Sequence, residues 1–347
     1  MNKNIKIAVL GASGYTGGDL IRILLNHNNA DIVALSANSK LGKNPSDVHA
    51  ALYHADLPDF ISVKEINFDE VDLVISGLPH NNLHKLINDI PAKCKVIDMS
   101  ADFRFSDSDI FNQYYQTTHE SPEVLKSSVY GLSEIYRNDI KDARIVACPG
   151  CYPTAILLSI IPLIKDGIIS IEDIIIDAKS GVSGAGRSNK EDLMFSELSE
   201  SMKPYNIASH RHTPEIEKII ENICGKELKI NFTPHLIPIN RGELITLYLK
   251  TLNGFSAMEA QSCLNTFYKN DRYVHISNKG LPAETSNVRG SNNCLISVFD
   301  DRIKGRIIIS ASIDNLIKGS AGQAIQNMNI MFGFDEGEGL TSFGLYP

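Results

Sequence analysis

The sequence predicts an α/β protein, a doubly wound parallel sheet joined to a second, more antiparallel α+β unit. Three observations predict it. The chain enters the apolar run Ile5–Leu10, passes at once into Gly11-Ala12-Ser13-Gly14-Tyr15-Thr16-Gly17, and then shows helical apolar spacing at Leu20, Ile23 and Leu24. Further short apolar runs at 71–77, 96–99 and 145–147 alternate with helical or irregular stretches, the pattern of repeated βαβ units. Strand-like runs at 173–178, 244–249, 295–299 and 306–312 then suggest the second unit.

The first element carries chemistry. A strand, a glycine turn and a helix in that order let the backbone approach a pyrophosphate, and the helix N-terminus offers free N–H groups and a positive dipole end. Gly11, Ser13, Gly14, Tyr15, Thr16 and Gly17 are therefore candidate cofactor-binding residues, in a G-x-x-G-x-x-G spacing. The second strand, Ile32-Val33-Ala34-Leu35, runs into Ser36-Ala37-Asn38-Ser39-Lys40. An NAD site usually places a carboxylate here for the ribose 2′-hydroxyl. None is present, and Ser36, Ser39 and Lys40 suit a 2′-phosphate, so the cofactor predicted is NADP(H).

Composition narrows the partners. A net charge of -8 argues against nucleic acid as the main partner, and the longest apolar stretches, such as 155–164, are too short to span a bilayer. The N-terminal residues show no signal-peptide pattern, so the location expected is the cytoplasm with reduced thiols. The one closely spaced cysteine pair, Cys148 and Cys151, lacks the second ligand pair of a structural zinc site, so no metal is expected.

Ligands of such sheets bind beyond the carboxyl ends of the strands. The segments to read for chemistry are therefore 78–80, 100–104 and 148–151. Cys151 follows Pro149-Gly150 and precedes Tyr152-Pro153-Thr154, where a helical pattern begins. Proline is at home in a first helical turn, which puts Cys151 at or just before the helix start. An ordinary thiol is only about 3% thiolate at pH 7, and a helix N-terminus or a neighbouring cation raises that fraction. Cys94, Cys224, Cys263 and Cys294 read instead as small buried apolar residues.

The run Cys148-Pro149-Gly150-Cys151-Tyr152-Pro153-Thr154-Ala155 resembles the nucleophile signature of the N-acetyl-gamma-glutamyl-phosphate reductases, relatives of aspartate-semialdehyde dehydrogenase. The same resemblance runs through Gly11 to Gly17, Ile97 to Arg104, Tyr130-Gly131-Leu132-Ser133-Glu134, Ser180 to Arg187, His210-Arg211-His212-Thr213-Pro214-Glu215, Phe232 to Leu236, Gly290-Ser291-Asn292 and Ile313 to Ala324. It covers nearly the whole chain in order. The resemblance implies a Rossmann-type NADP domain and a Cys151 thiolate that attacks an acyl phosphate, leaving a thioester that NADPH reduces to an aldehyde. It implies an acid/base histidine in the 210–212 cluster, with His212 favoured and His210 the alternate. Arg104, Arg187 and Arg211 become candidate substrate-binding residues, and Ser183, Gly184 and Asn315 candidates near the nicotinamide.

The resemblance further implies that the last helix returns to the first domain. The cofactor domain would then comprise 1–150 plus 315–347, with the substrate domain 151–314 inserted. Apolar residues at Leu316, Ala321, Ala324, Ile325, Met328 and Met331 read as one face of that helix. A homo-oligomer, dimer or tetramer, is expected. One position departs from the family, which usually has asparagine where this chain has Cys148, and the resulting C-x-x-C suggests a pair that oxidation could join. The competing functions are the same chemistry on an aminoadipyl phosphate of lysine biosynthesis, and a non-catalytic NADP-binding redox regulator.

Overall fold

The computed structural model describes Asn4 to Thr341, apart from Ser188 and Lys279, together with Phe343, Gly344 and Leu345. Residues 1–3, 342, 346 and 347, which fall within the expected domain limits, lie outside the described residues. The chain divides into two compact units, Met1–Pro149 with Ser320–Leu340, and Gly150–Gly319 with Thr341–Pro347.

The first unit is built on seven parallel strands: β1 Ile5–Leu10, β2 Ala30–Ser36, β3 Phe60–Ile61, β4 Leu73–Ser76, β5 Lys95–Asp98, β6 Val129–Tyr130 and β7 Ile145–Ala147. Their order is β3-β2-β1-β4-β5-β7-β6, so the direction of winding reverses beside β1. Residues Ile7 to Leu10 are wholly buried, as a strand covered on both faces requires. Each fully buried Leu or Ile here contributes about 1.5–3 kcal/mol relative to an exposed one. The turn after β1 therefore sits at the switch point, where ligands of open α/β sheets bind.

The helix Gly322–Phe332 closes this unit and departs from the expected amphipathic pattern. A π-helical turn, Ile317–Ala321, leads into it, and every residue from Gly322 to Met331 is buried. Its polar residues are paired rather than solvated. Gln323 donates to the Gly131 carbonyl, Asn327 donates to the same oxygen, and Gln326 donates to Glu134. Asn329 bonds the ring of His27 and donates to the Glu336 and Glu338 carbonyls. Burial of these amides is tolerable because their N–H groups all donate, although Oε1 of Gln323 is left without a partner.

The second unit carries a mixed sheet of β8 Ile174–Gly181, β9 Lys203–Pro204, β10 Ile230–Ile237, β11 Glu243–Lys250, β12 Val274–Ile276, β13 Cys294–Asp300 and β14 Arg306–Ile313, in the order β12-β13-β14-β11-β8-β10-β9. Pairing is antiparallel from β13 through β14 and β11 to β8, and parallel between β8 and β10. The helix Cys151–Lys165 is buried from Tyr152 through Leu163, as a helix apolar all round must be. The helices His212–Cys224 and Ala257–Phe267 pack against it. Among the described residues no helix is long and apolar enough to cross a membrane.

Candidate active site

Two sets of residues stand out, one in each unit. In the first unit, Gly11 adopts φ +72°, and a Cβ there would lie 2.5 Å from the Gly77 carbonyl oxygen. A Cβ on Gly17 would lie 2.6 Å from the Ala12 carbonyl oxygen. Only glycine fits at either place. Gly14 is the N-cap of the helix Tyr15–Leu24, with no side chain capping its first amides. Those amides and the dipole behind them form a cradle for phosphate. Thr16 hydrogen-bonds through its hydroxyl to Ser320. At the end of β2, Ser36 is buried, whereas Ser39 is exposed and Lys40 partly so on a short 3₁₀ turn, Asn38–Lys40. No carboxylate occupies 36–40. The residues present fit a dinucleotide carrying a 2′-phosphate.

Arg104, also in this unit, is 8% exposed and donates to the backbone carbonyls of Cys148 and Met99. Its sequence neighbour Asp102 instead gathers the backbone N–H groups of Asn81, Asn82, Leu83 and His84. Asp98, at the end of β5, accepts from the Ser100 and Phe103 amides. Burial, reinforced by Asp102, pushes its carboxyl up to about 7. Cys148 is buried, and Asn327 donates to its sulfur at 3.6 Å.

The second unit gathers the chemistry. Cys151 is the first helical residue of Cys151–Lys165, and Gly150 is the N-cap with no side-chain cap. The thiol therefore sits at the positive end of a helix. Of the cysteines read as buried, Cys94 and Cys294 are, whereas Cys224 and Cys263 are half-buried, as is Cys151. Cys263 donates to Asp166, and burial with that carboxylate pushes its thiol up to about 12. Burial likewise pushes the Cys94 thiol up.

Glycines on two sides admit the nucleophile's neighbours. A Cβ on Gly150 would overlap Nε2 of His212, and a Cβ on Gly319 would lie 2.7 Å from the Cβ of Cys151. His212 begins the helix His212–Cys224, and Glu215 in that helix's first turn accepts the Gly150 amide at 2.9 Å. Glu215 thus ties the start of the histidine-bearing helix to the start of the cysteine-bearing one. His210 is fixed differently. Its Nδ1 accepts the His212 amide at 3.1 Å, and its ring lies edge-on to Tyr152, Tyr205 and Phe232. Burial first, then the Arg211 charge, depresses it to about 4, so it is neutral at pH 7.

Glu243, the first residue of β11, was silent in the sequence and is fully buried. Neither carboxylate oxygen has a conventional hydrogen-bond partner. Burial pushes its carboxyl up to about 8, a rise that Cys151 opposes in part. Two phenols complete this wall, with the Tyr205 hydroxyl donating to that of Tyr152 at 3.3 Å. Both are held above the ordinary phenol range, chiefly by burial.

The remaining candidates separate. Asn315 donates to the Ser183 hydroxyl at 3.0 Å and accepts the Gly242 amide at 2.8 Å. A Cβ on Gly184 would lie 3.7 Å from the Asn315 amide nitrogen, so these three form one cluster. Arg187 and Arg211 are both exposed.

Comparison with known proteins identifies the family and the fold. Residues 6–143 match the family model described as semialdehyde dehydrogenase, NAD binding domain, and residues 151–315 match semialdehyde dehydrogenase, dimerisation domain. The chain is 44% identical over 99% of its length, and 86% of the relative's, to a probable chloroplastic N-acetyl-gamma-glutamyl-phosphate reductase of Arabidopsis thaliana. It is 42% identical, with full coverage of both chains, to the N-acetyl-gamma-glutamyl-phosphate reductase of Rhodospirillum rubrum. The fold matches aspartate semialdehyde dehydrogenase II of Vibrio cholerae at TM-score 0.73 and 16% identity, over 96% of this chain and 99% of that one. It also matches the Candida albicans aspartate semialdehyde dehydrogenase with NADP at TM-score 0.67 and 18% identity, over 95% and 99% of the two chains.

Proposed function

This chain belongs to the N-acetyl-gamma-glutamyl-phosphate reductase family, and from that premise we propose the roles of its residues in the family's reaction. The protein is an NADPH-dependent oxidoreductase of arginine biosynthesis, reducing N-acetyl-L-glutamyl 5-phosphate to N-acetyl-L-glutamate 5-semialdehyde with release of phosphate. The observation that carries the assignment of residues is Cys151 at an uncapped helix start, with the His212 ring packed on the adjoining Gly150.

The Cys151 thiolate attacks the acyl carbonyl, the carbon–oxygen bond to phosphate breaks, and a thioester remains on the sulfur. The Gly11–Gly17 turn, with Ser39 and Lys40 for a 2′-phosphate, would hold NADPH, which when bound would supply the hydride for reduction of the thioester. Collapse of the resulting thiohemiacetal returns the sulfur and releases the aldehyde. His212 is the acid/base beside the sulfur. His210, neutral and bonded to the His212 amide, positions it. Arg187 and Arg211 are exposed cations suited to the substrate's phosphate and carboxylate. Arg104, which donates to the backbone carbonyls of Cys148 and Met99, is assigned to the substrate's phosphate. Ser183, Gly184 and Asn315 are assigned to the reducing end of the cofactor. The enzyme is cytoplasmic and a homo-oligomer, dimer or tetramer.

The test is phosphate-dependent NADP reduction, run in reverse with N-acetyl-glutamate semialdehyde beside its one-carbon-longer homologue. The shorter aldehyde should be strongly preferred, and Cys151→Ser should abolish the signal. Preference for the longer aldehyde would move the protein to the aminoadipyl reaction. No signal with either would support a regulator, and full activity of Cys151→Ser would overturn the assigned nucleophile.

A further inference from the structure

The segment 100–104, beyond the carboxyl end of β5, is tied down by two histidines to which the reaction as described gives no task. His84, in the short helix Leu83–Leu86, is wholly buried, and His119 is 3% exposed. Their rings stack with centroids 4.7 Å apart. Phe111 stands edge-on to both rings, and Phe103 edge-on to that of His119.

Hydrogen bonds fix the proton on each ring. Nδ1 of His84 accepts the Glu120 amide at 3.0 Å, and Nδ1 of His119 accepts the Ser121 amide at 3.2 Å. Only a ring nitrogen without a proton can accept an N–H. Both rings are therefore neutral, with the proton on Nε2. Nε2 of His119 donates to the Asp102 carbonyl at 2.9 Å, whereas Nε2 of His84 has no hydrogen-bond partner among the described residues. The Ser121 hydroxyl donates to the His84 carbonyl, and the Asn112 side chain accepts the His119 amide. Asp102 thus meets the pair through its carbonyl while its carboxylate gathers the amides of 81–84.

We infer that His84 and His119 form an acid-sensitive latch, which keeps the stretch 104–121 closed on the segment bearing Asp102 and opens when either ring takes a proton. The proton comes from solvent and can enter only at Nδ1. There it turns an acceptor into a second donor facing a backbone N–H, so the Glu120 or Ser121 amide loses its partner. It also leaves a cation stacked on a ring in a dry aromatic setting, where an unpaired charge is costly. The charged groups facing the pair are Asp102 on the 100–104 segment, Glu120 beside His119, and Lys85 beside His84. The helix Ser108–Tyr115 presents Phe111, with Tyr115 stacked on it. Burial outweighs the attraction of the two carboxylates and holds both rings below the ordinary histidine range. An opened chain takes up its protons near pH 6.5, so acid draws the latch open and higher pH keeps it shut. Arg104 lies two residues beyond Asp102, so opening disturbs its backbone frame. That consequence for phosphate binding alone rests on the role assigned to Arg104.

The experiment is amide hydrogen exchange read by mass spectrometry on the intact protein without substrate, from about pH 8 to about pH 5, corrected for the intrinsic pH dependence of exchange. Protection of peptides from 104–121 should be level above about pH 6.5. Below it, protection should fall about tenfold per pH unit for each ring that titrates, until the folded rings themselves take up protons. Peptides from β4 and β5 should stay protected while this stretch exchanges. His84→Asn combined with His119→Asn keeps an acceptor oxygen near each Nδ1 position and cannot titrate, so it should level the profile. If that double variant fails to fold, each single variant should show half the wild-type slope on a logarithmic scale. A level wild-type profile, exchange of 104–121 only together with β4 and β5, or an unchanged slope in the variants would overturn the inference. Because exchange needs no turnover, an inactive protein with the expected profile would refute the proposed reaction and leave the latch standing.

Discussion

The ring of His212 rests on the α-carbon of Gly150 so closely that a single methyl group there would overlap Nε2. Gly150 has φ -63° and ψ 158°, angles alanine adopts without strain. Gly150→Ala should therefore act by steric displacement alone, costing about 1–3 kcal/mol of stability as overpacking does. Turnover should fall by roughly 100-fold or more, in line with small misplacements of catalytic groups. Gly319→Ala should do the same from the other side, through the Cβ of Cys151. Steady-state kinetics with thermal melts measure both, and an active Gly150→Ala would mean that the ring is not where the chemistry needs it.

Glu215 is predicted to matter through a backbone amide. Glu215→Ala leaves the Gly150 N–H without its buried acceptor, a loss of about 1–3 kcal/mol. It should lower kcat more than it raises KM, because the start of the cysteine-bearing helix loosens while binding groups elsewhere remain. Glu215→Gln keeps an acceptor oxygen and should recover most of the melting temperature.

His210 and His212 should separate by pH. His210 is depressed to about 4 in the folded protein against about 6.5 unfolded. The unfolded chain therefore takes up its proton first as pH falls. The stability this residue contributes is fully present above about 6.5 and is lost progressively toward 4. His210→Asn should flatten unfolding stability across that window while leaving the acid limb of the kcat/KM profile near neutrality where it was. His212→Asn should remove most of the activity. Chemical denaturation at a series of pH values, beside pH–rate profiles, distinguishes the two.

Thiol reactivity should rank by environment rather than exposure. Cys263 and Cys151 are both half-buried, yet burial first and Asp166 second hold the Cys263 thiol up to about 12. At pH 7.5, mass spectrometry after brief alkylation should find Cys151 labelled and Cys263 untouched. Asp166→Asn should bring Cys263 into reach of the reagent.

Much of this was legible in the chain. The Ile5–Leu10 strand, the glycine turn and the helix after it were readable because apolar run, glycines and helical spacing are local signals. Pro153 in the first turn placed Cys151 at a helix start for the same reason. Other features were hidden by their distance in sequence. β10 escaped because Pro234 lies within it, in register with Ala178 of β8, and proline argues against a central strand. Glu243 carried no local signal, because its full burial is set by strands distant in sequence, β8 and β14. The burial of Gln323, Gln326, Asn327 and Asn329 was not legible beside the apolar face, because their partners come from residues near 130 and 336.

That last helix has a consequence for how the protein is made. The strands of the first unit are complete by Ala147, but its helix Gly322–Phe332 is not synthesised until after Gly319. While the second unit emerges from the ribosome, the first lacks that helix and the two amides it donates to the Gly131 carbonyl. Chains stalled or cleaved before residue 322 should therefore be sticky and chaperone-dependent rather than half-functional.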